Sequence, residues 1–237
     1  MDGIIALIPA YEEGPRIAVV VARTRAHLPV VVVDDGSSDD TAAQAEAAGA
    51  AVLRQAPNAG KGAALRAGFR HALERGAPAV VTLDADGQHD PDEIPRFLTA
   101  FAAGGQTTAP SGRHAHLEPP ELIVGCRDFA GMPALRRLSN TLGMWVFSAA
   151  VGRRIADNQS GYRLIGRRLM SALLDSDEQG FEFEVEMIAR CIALRLPIAE
   201  VPIRTIYAGE PSHIRNWQHV RHFLRVSARA GRTVRGL

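Results

Sequence analysis

Two carboxylates one residue apart, Asp84 and Asp86, directly follow the apolar run Ala79-Val80-Val81-Thr82-Leu83. At the end of a strand such a pair can share a divalent cation, and Gln88 can add a neutral oxygen. Oxygen ligands with few protein contacts suit Mg2+ or Mn2+, ions that also take phosphate oxygens. The bland alternative is a turn filled with acidic residues, and a D-x-D triplet by itself does not exclude it. A second acidic cluster, Asp34-Asp35-Gly36-Ser37-Ser38-Asp39-Asp40-Thr41, follows the apolar run Val30-Val31-Val32-Val33. Turn and cap chemistry accounts for Gly36, Ser38 and Thr41. It does not account for adjacent carboxylates at a strand end, whereas one of Asp34 and Asp35 facing a ribose or base edge would.

Asn58-Ala59-Gly60-Lys61-Gly62 stands before a helical segment and could present backbone N–H groups and Lys61 to a nucleotide. It is not a Walker A loop, because Gln55 stands where the first Gly is required and Gly62 where Ser or Thr is required. No G-x-G-x-x-G follows the first apolar run, which argues against a dinucleotide dehydrogenase. A sugar-1-phosphate nucleotidyltransferase would carry a Gly-rich loop there, and Pro9-Ala10-Tyr11-Glu12 stands in its place.

These clusters need strands to end on, and the apolar pattern supplies them. Short continuous apolar runs at 3–8, 30–33 and 79–83 read as buried strands, the first ended by Pro9, and 50–53 gives another strand. Helical segments are expected at 16–27, from a cap at Ser38 or Asp39 to about 48, at 61–75, and from Asp90 with Pro91 in the first turn. Four strand–helix units in about a hundred residues indicate a parallel, doubly wound sheet with helices on both faces, whose ligands lie beyond the carboxyl ends of the strands. Tyr11-Glu12-Glu13, Asp34-Asp35 and Asp84-Ala85-Asp86 all fall at those ends.

The stretch 104–120 has no periodicity and reads as a mobile loop or insertion, after which 122–124 resumes the sheet. From Met132 the pattern is mainly helical, at 134–151, 167–174 and 182–196. A strand at 198–203 and a basic helix from about 214 follow. The expected organisation is one domain over 1–210 with a basic C-terminal helix over 211–237.

With 237 residues and 46% hydrophobic content the chain can bury one large core. Only 5% is aromatic, so Ala, Val, Leu and Ile supply the apolar mass, as strands alternating with helices require. A net charge of +1 offers no argument for nucleic acid. Cys126 and Cys191 lack metal-ligand spacing and read as buried thiols in a reducing compartment. No basic segment precedes the apolar opening, and the run 142–151 is roughly half of a membrane-spanning helix. The expectation is a cytoplasmic protein whose membrane contact, if it has one, is peripheral at the inner face.

Together the motifs resemble the family 2 glycosyltransferases, in particular the polyprenyl-phosphate (dolichol-phosphate) hexose synthase-like branch. The match is carried by Ile8-Pro9-Ala10-Tyr11-Glu12-Glu13, Val33 to Thr41, Asn58 to Gly62 and Leu83-Asp84-Ala85-Asp86-Gly87-Gln88-His89. It continues through Val124-Gly125-Cys126-Arg127, Asp157-Asn158-Gln159-Ser160-Gly161-Tyr162-Arg163 and Val201-Pro202-Ile203. Seven motifs in order over about residues 3 to 215 carry weight that none carries alone.

The resemblance implies a GT-A fold and an inverting, metal-dependent transfer from a nucleotide-diphosphate sugar. By carry-over, Pro9, Tyr11, Glu13 and one of Asp34 and Asp35 surround the uridine or guanosine, with Lys61 nearby. Asp84 and Asp86, assisted by Gln88, serve the metal and diphosphate. Arg127, with Arg136 or Arg137, handles phosphate charge. Ser212 and His213 belong to a short Ser-plus-basic motif expected to close over the diphosphate. Glu12 departs from the usual Asn of the first motif, and the 104–120 insertion is longer than the family usually carries.

The acceptor decides whether a base is needed. A lipid phosphate is already nucleophilic at neutral pH, while a glycan hydroxyl needs a carboxylate to take its proton. Asp157 and Glu182 are the base candidates, with a cap or hydrogen-bond anchor as the other reading of Asp157. Glu182 and Glu184, two apart on a helix, cannot both face the site. The tail holds Arg221, Arg225, Arg229, Arg232 and Arg235 with no acid after Glu210. The first three, at i, i+4 spacing, form a cationic face suited to anionic lipid headgroups, or simply a solvated face. The function expected is hexose transfer from a UDP- or GDP-sugar to polyprenyl phosphate. Transfer to a glycan or glycolipid hydroxyl, or nucleotide-sugar binding without turnover, are the alternatives.

Overall fold

The computed structural model describes residues 2–104, 118–127, 134–180, 182–204, 206 and 217–236, with only the backbone described for 134–140 and 217–224. Its strands are β1 (Ile5–Ala10), β2 (Val30–Asp34), β3 (Ala51–Arg54), β4 (Ala79–Thr82), β5 (Leu122–Arg127), β6 (Arg163–Gly166) and β7 (Ile198–Ile203). They form one seven-stranded sheet in the order β3-β2-β1-β4-β6-β5-β7. All pairs are parallel except those of β6, which runs antiparallel between β4 and β5.

Helices α1 (Gly14–Arg25), α2 (Thr41–Ala47), α3 (Lys61–Glu74) and α4 (Ile94–Ala103) alternate with the first strands, a 3-10 turn at Pro91–Glu93 leading into α4. After β5 come α5 (Ala134–Val151), α6 (Arg167–Leu173), α7 (Glu182–Ala193) and α8 (Trp217–Arg235). Side-chain alternation along each strand splits the core into two layers. Leu7, Val31, Val33, Val80, Leu122, Val124 and Ile165 point to the layer covered by α3, α6 and α7, which α5 and α8 extend. Ile4, Ala6, Ile8, Val30, Val32, Val81, Ile123 and Leu164 point to the opposite layer, under α1 and α4. Helices therefore cover both faces, as expected for a doubly wound sheet. α8 packs on α7 and α5.

Two expectations are corrected. Pro9 does not end the first strand but lies within β1, paired in register with Val33. Odd-numbered β1 residues face β4, since the Leu7 carbonyl accepts from Leu83, and β4 pairing stops at Leu7 and Thr82. The N–H that proline lacks therefore falls where no partner strand remains. The second correction is β6, which the helical reading of the second half overlooked. Four residues wedged between Tyr162 and a helix are too few for periodicity to separate strand from helix.

Candidate active site

The carboxyl ends of β1, β2 and β4 open into a cleft of about 350 Å3, lined by residues that include Pro9, Tyr11, Glu13, Asp35, Lys61, Asp84 and Asp86. Each arrives there for a local reason. Glu12 turns the chain after β1 with a left-handed φ of 53°. Its N–H and carboxylate are held by Ser37 and Ser38, and the Glu13 N–H donates to Thr41 Oγ1. Asp39 accepts from the Thr41 N–H at 3.0 Å and from the Gly14 N–H at 3.1 Å, so it supports the starts of both α2 and α1.

The two adjacent aspartates separate in role. Asp34 accepts from the Ser37 N–H at 3.2 Å and is not among the cleft-lining residues. Asp35 lines the cleft and clasps the next loop, accepting from the N–H groups of Ala59 at 3.0 Å and Gly60 at 2.7 Å. Those amides, expected to be available to a nucleotide, are thus engaged within the protein. So is the Gly62 N–H, which donates to the Gln179 carbonyl at 2.6 Å. Gly60 has φ 93°, and a Cβ there would lie 2.5 Å from the Gln179 oxygen, so glycine is required.

Lys61 opens α3 at the positive end of the helix dipole, a poor place for a cation unless anions surround it. Two do: Nζ lies 2.5 Å from Asp84 Oδ1 and 2.7 Å from Glu184 Oε1. Burial disfavours the ammonium, yet the two carboxylates outweigh it and hold the pKa above the usual lysine value. Burial likewise opposes charge on Asp84, but Lys61, with a smaller contribution from Arg127, holds its carboxyl below the usual range. His89, buried beside the Tyr162 ring, accepts the Asp84 N–H on Nδ1 at 3.0 Å and so fixes the turn after β4. Asp86 accepts the Gln88 N–H at 2.9 Å, and the Gln88 carbonyl accepts from the Ile206 N–H. Gln88 itself is not among the cleft-lining residues.

Among the described residues no group of three or more His, Cys, Asp and Glu side chains is arranged to hold a metal ion. Asp84 and Asp86 nevertheless face one cleft. That donor set fits a hard cation drawing most of its oxygens from a diphosphate and water, and does not fit an all-protein cage.

Arg127, at the end of β5, forks onto Asp157: Nε to Oδ2 at 2.6 Å and Nη2 to Oδ1 at 3.0 Å. Asp157 is 2% exposed and also takes N–H groups from Arg127 and Gln159. A carboxylate so engaged serves as a hydrogen-bond anchor for Arg127 and the 157–159 turn, the second of the two readings that the sequence offered for it. Glu182, the other base candidate, lines a separate hollow with Asp175, Asp177 and Glu178. As i, i+2 geometry demands, only one of the α7 glutamates faces the site, and it is Glu184, 6% exposed.

Sequence reasoning also missed Arg163. It is 1% exposed on β6, and its guanidinium donates to the carbonyls of Ser160 at 2.7 Å, Asn158 at 3.2 Å and Glu184. It thereby ties the 158–160 turn to the start of α7 and sets Glu184 against Lys61. An arginine flanked by Tyr162 and Leu164-Ile165 was the available signal. Arg136 and Arg137 lie in the first turn of α5, and their side chains fall outside the described residues. Ser212, His213, the 210/211 boundary and most of the 104–120 insertion also lie outside them. Cys126 and Cys191 are free thiols, both pushed up to about 12 chiefly by burial; Cys191 is buried as expected, while Cys126 is only half-buried.

Comparison with known proteins bears on the family and the fold. Residues 5–157 match the family described as glycosyl transferase family 2. The undecaprenyl-phosphate mannosyltransferase of Micrococcus luteus is 32% identical over 215 residues, covering 84% of this chain and 82% of that protein. The polyprenol monophosphomannose synthase of Mycolicibacterium smegmatis is 31% identical over 215 residues, covering 84% and 76%. Among solved structures, glucosyl-3-phosphoglycerate synthase of Mycobacterium tuberculosis in complex with Mn2+, UDP-glucose and phosphoglyceric acid superposes with a TM-score of 0.70. The superposition is at 19% identity and covers 99% of this chain and 80% of that one. The fold is GT-A.

Proposed function

The chain belongs to glycosyl transferase family 2, and on that footing we propose that it moves a hexose from a UDP- or GDP-sugar to a polyprenyl phosphate in one inverting displacement. The observation that carries this reading is the convergence of Tyr11, Asp35, Lys61, Asp84 and Asp86 on one cleft at the strand ends. Relatives named for undecaprenyl-phosphate and polyprenol-phosphate chemistry support the acceptor.

Pro9, Tyr11, Glu13 and Asp35 take the nucleoside, Asp34 supporting their turn. Lys61 and Asp84 sit beside the diphosphate, and Asp86, with Asp84 and assisted by Gln88, holds Mg2+ or Mn2+. That cation would offset the charge developing on the departing nucleoside diphosphate. Arg127, aimed by Asp157, and Arg137 steady the acceptor phosphate, which the donor diphosphate would otherwise repel. Ser212 and His213 cover the diphosphate. The acceptor oxygen is already anionic at neutral pH, so the reaction needs no general base. The engagement of Asp157 with Arg127 is consistent with that. The test is a donor screen reading nucleoside diphosphate release with and without undecaprenyl phosphate. Release from one donor that depends on the lipid supports the reading, and lipid-independent release overturns it.

The acceptor's chemistry brings the protein to a bilayer, and we infer peripheral contact at its cytoplasmic face. Among the described residues no helix is long and apolar enough to cross a membrane. On α5, Leu142 and Trp145 are 63% and 67% exposed one turn apart, an interfacial pair. On α8, Arg225, Arg229, Arg232 and Arg235 are exposed, and Arg235 also reaches the Ala150 carbonyl of α5 at 3.5 Å. Sedimentation with vesicles is expected to show salt-sensitive binding to anionic lipid; equal partitioning onto neutral vesicles would contradict it.

A further inference from the structure

Lys61, Asp84 and Glu184 form a three-membered charged cluster on three different elements. Lys61 begins α3, Asp84 follows β4, and Glu184 lies in the first turn of α7. One ammonium is shared by two carboxylates at 2.5 and 2.7 Å. Only one of those carboxylates, Asp84, lines the cleft with Asp86; Glu184 is buried behind it. The cluster is roofed by Gly161, where a Cβ would lie 2.8 Å from Glu184 Oε1 and 2.9 and 3.0 Å from the Asp84 oxygens. The absence of a side chain at 161 leaves Asp84 the room to turn.

Asp84 has two claims on it. Lys61 holds it in the free protein, and the cation with its diphosphate needs it when donor binds. If Lys61 had Asp84 as its sole carboxylate partner, turning Asp84 toward the cation would strand a buried ammonium, a costly arrangement. Glu184 removes that obstacle by being in place already. Its position is fixed by Arg163, whose guanidinium donates to the Glu184 backbone carbonyl.

We propose that Glu184 is a positioning residue of the donor site, the alternative partner that keeps Lys61 compensated while Asp84 turns to the cation and diphosphate. This inference rests on the donor reading above. It assigns Glu184 no contact with substrate and no proton transfer.

The test is a double-mutant cycle read by binding. Mn2+ alone, then Mn2+ with UDP and with GDP, is titrated into the full chain and into Glu184→Gln, Lys61→Met and the double variant, each checked for native circular dichroism. The wild type is expected to bind Mn2+ more tightly with one nucleotide present. Failure there sinks the donor reading itself. Given that binding, Glu184→Gln should raise the Mn2+–nucleotide dissociation constant about tenfold or more, while in the Lys61→Met background it should change it less than about twofold. Equal effects in both backgrounds would show that Glu184 acts on the ligand directly, and no effect in the wild-type background would show that it does nothing there. Either result overturns the proposal. Glu184→Asp, which keeps the charge, is expected to recover most of the binding lost by Glu184→Gln. If Glu184→Gln does not fold, Glu184→Asp carries the same cycle: a weaker loss that disappears with Lys61→Met supports the proposal, and one that persists overturns it.

Discussion

Arg127 and Asp157 meet as a fork, two side-chain bonds of 2.6 and 3.0 Å joined by a backbone N–H from the same arginine at 3.3 Å. Asp157 is therefore expected to act through Arg127. Asp157→Asn and Arg127→Gln should each slow turnover with lipid phosphate, and the double variant should be no slower than Arg127→Gln alone. Additive losses, measured in the same assay, would return Asp157 to an independent role.

The neighbouring aspartates should respond unequally. Asp35→Asn places an amide where two backbone N–H groups need an acceptor, at a cost of about 1–3 kcal/mol of stability. It should also raise the donor dissociation constant, since Asp35 lines the cleft. Asp34→Asn, whose carboxylate accepts the Ser37 N–H at 3.2 Å, should do less on both counts. Calorimetry of donor binding beside a denaturant titration checks the pair, and the reverse ranking would contradict the assignment.

Gly161→Ala should disable the site while sparing the fold. The added methyl meets the oxygens of Asp84 and Glu184 at 2.8 to 3.0 Å, closer than side chains tolerate. Nucleotide-dependent Mn2+ binding is expected to fall at least tenfold, with circular dichroism unchanged. Normal binding would mean the cluster is more yielding than its packing indicates.

Glu12 carries a prediction about stability. Its φ of 53° lies in the left-handed region, which Asn enters more readily than Glu. Glu12→Asn should stabilise the chain by some tenths to about 1 kcal/mol in denaturant titrations, less whatever the contact of Glu12 with Ser38 contributes.

How much of this was legible beforehand follows from how local each signal is. The strands expected at 30–33 and 79–83, found at Val30–Asp34 and Ala79–Thr82, and the carboxylates at their ends are written in contiguous residues, so periodicity and turn chemistry reached them to within a residue. That Asp34-Asp35 and Asp84 fall at one end of the sheet followed from topology, while Lys61 was reached through the loop before α3 and the family resemblance. What escaped depends on contacts far apart in the chain. Glu184 and Glu182 look alike until Arg163 pulls the α7 backbone toward the 158–160 turn. Asp157 looks like a free carboxylate until Arg127, thirty residues away, closes on it. Pro9 reads as a strand end because the sequence does not reveal that β4 stops two residues short of it.

His89 sets a pH dependence whose sign can be worked out. Burial lowers its pKa, Asp84 opposes that, and Lys61 reinforces it, so the folded ring is neutral below the usual histidine value. The unfolded chain takes a proton near pH ~6.5. Between that pH and the lower folded value the unfolded state binds more protons, so stability falls as pH drops below about 6.5. Denaturant midpoints at pH 7.5 and 5.5 should differ more in the wild type than in His89→Asn, whose amide oxygen can still accept the Asp84 N–H. Equal pH slopes would contradict the neutral, buried assignment.

Transfer to a lipid phosphate makes a product that phosphorus resonance distinguishes from every alternative. The bond from the anomeric carbon to the bridging oxygen of the nucleoside diphosphate breaks, a bond from that carbon to an acceptor phosphate oxygen forms, and nucleoside diphosphate leaves with the bridging oxygen. Polyprenyl phosphate therefore passes from a monoester to a diester. A 31P spectrum of the protein with donor, Mn2+ or Mg2+ and undecaprenyl phosphate should show the monoester signal replaced by a diester. That signal should grow one for one with nucleoside diphosphate. Nucleoside diphosphate accumulating while the monoester signal stays unchanged would mean that the sugar went to a hydroxyl or to water, and would contradict the account.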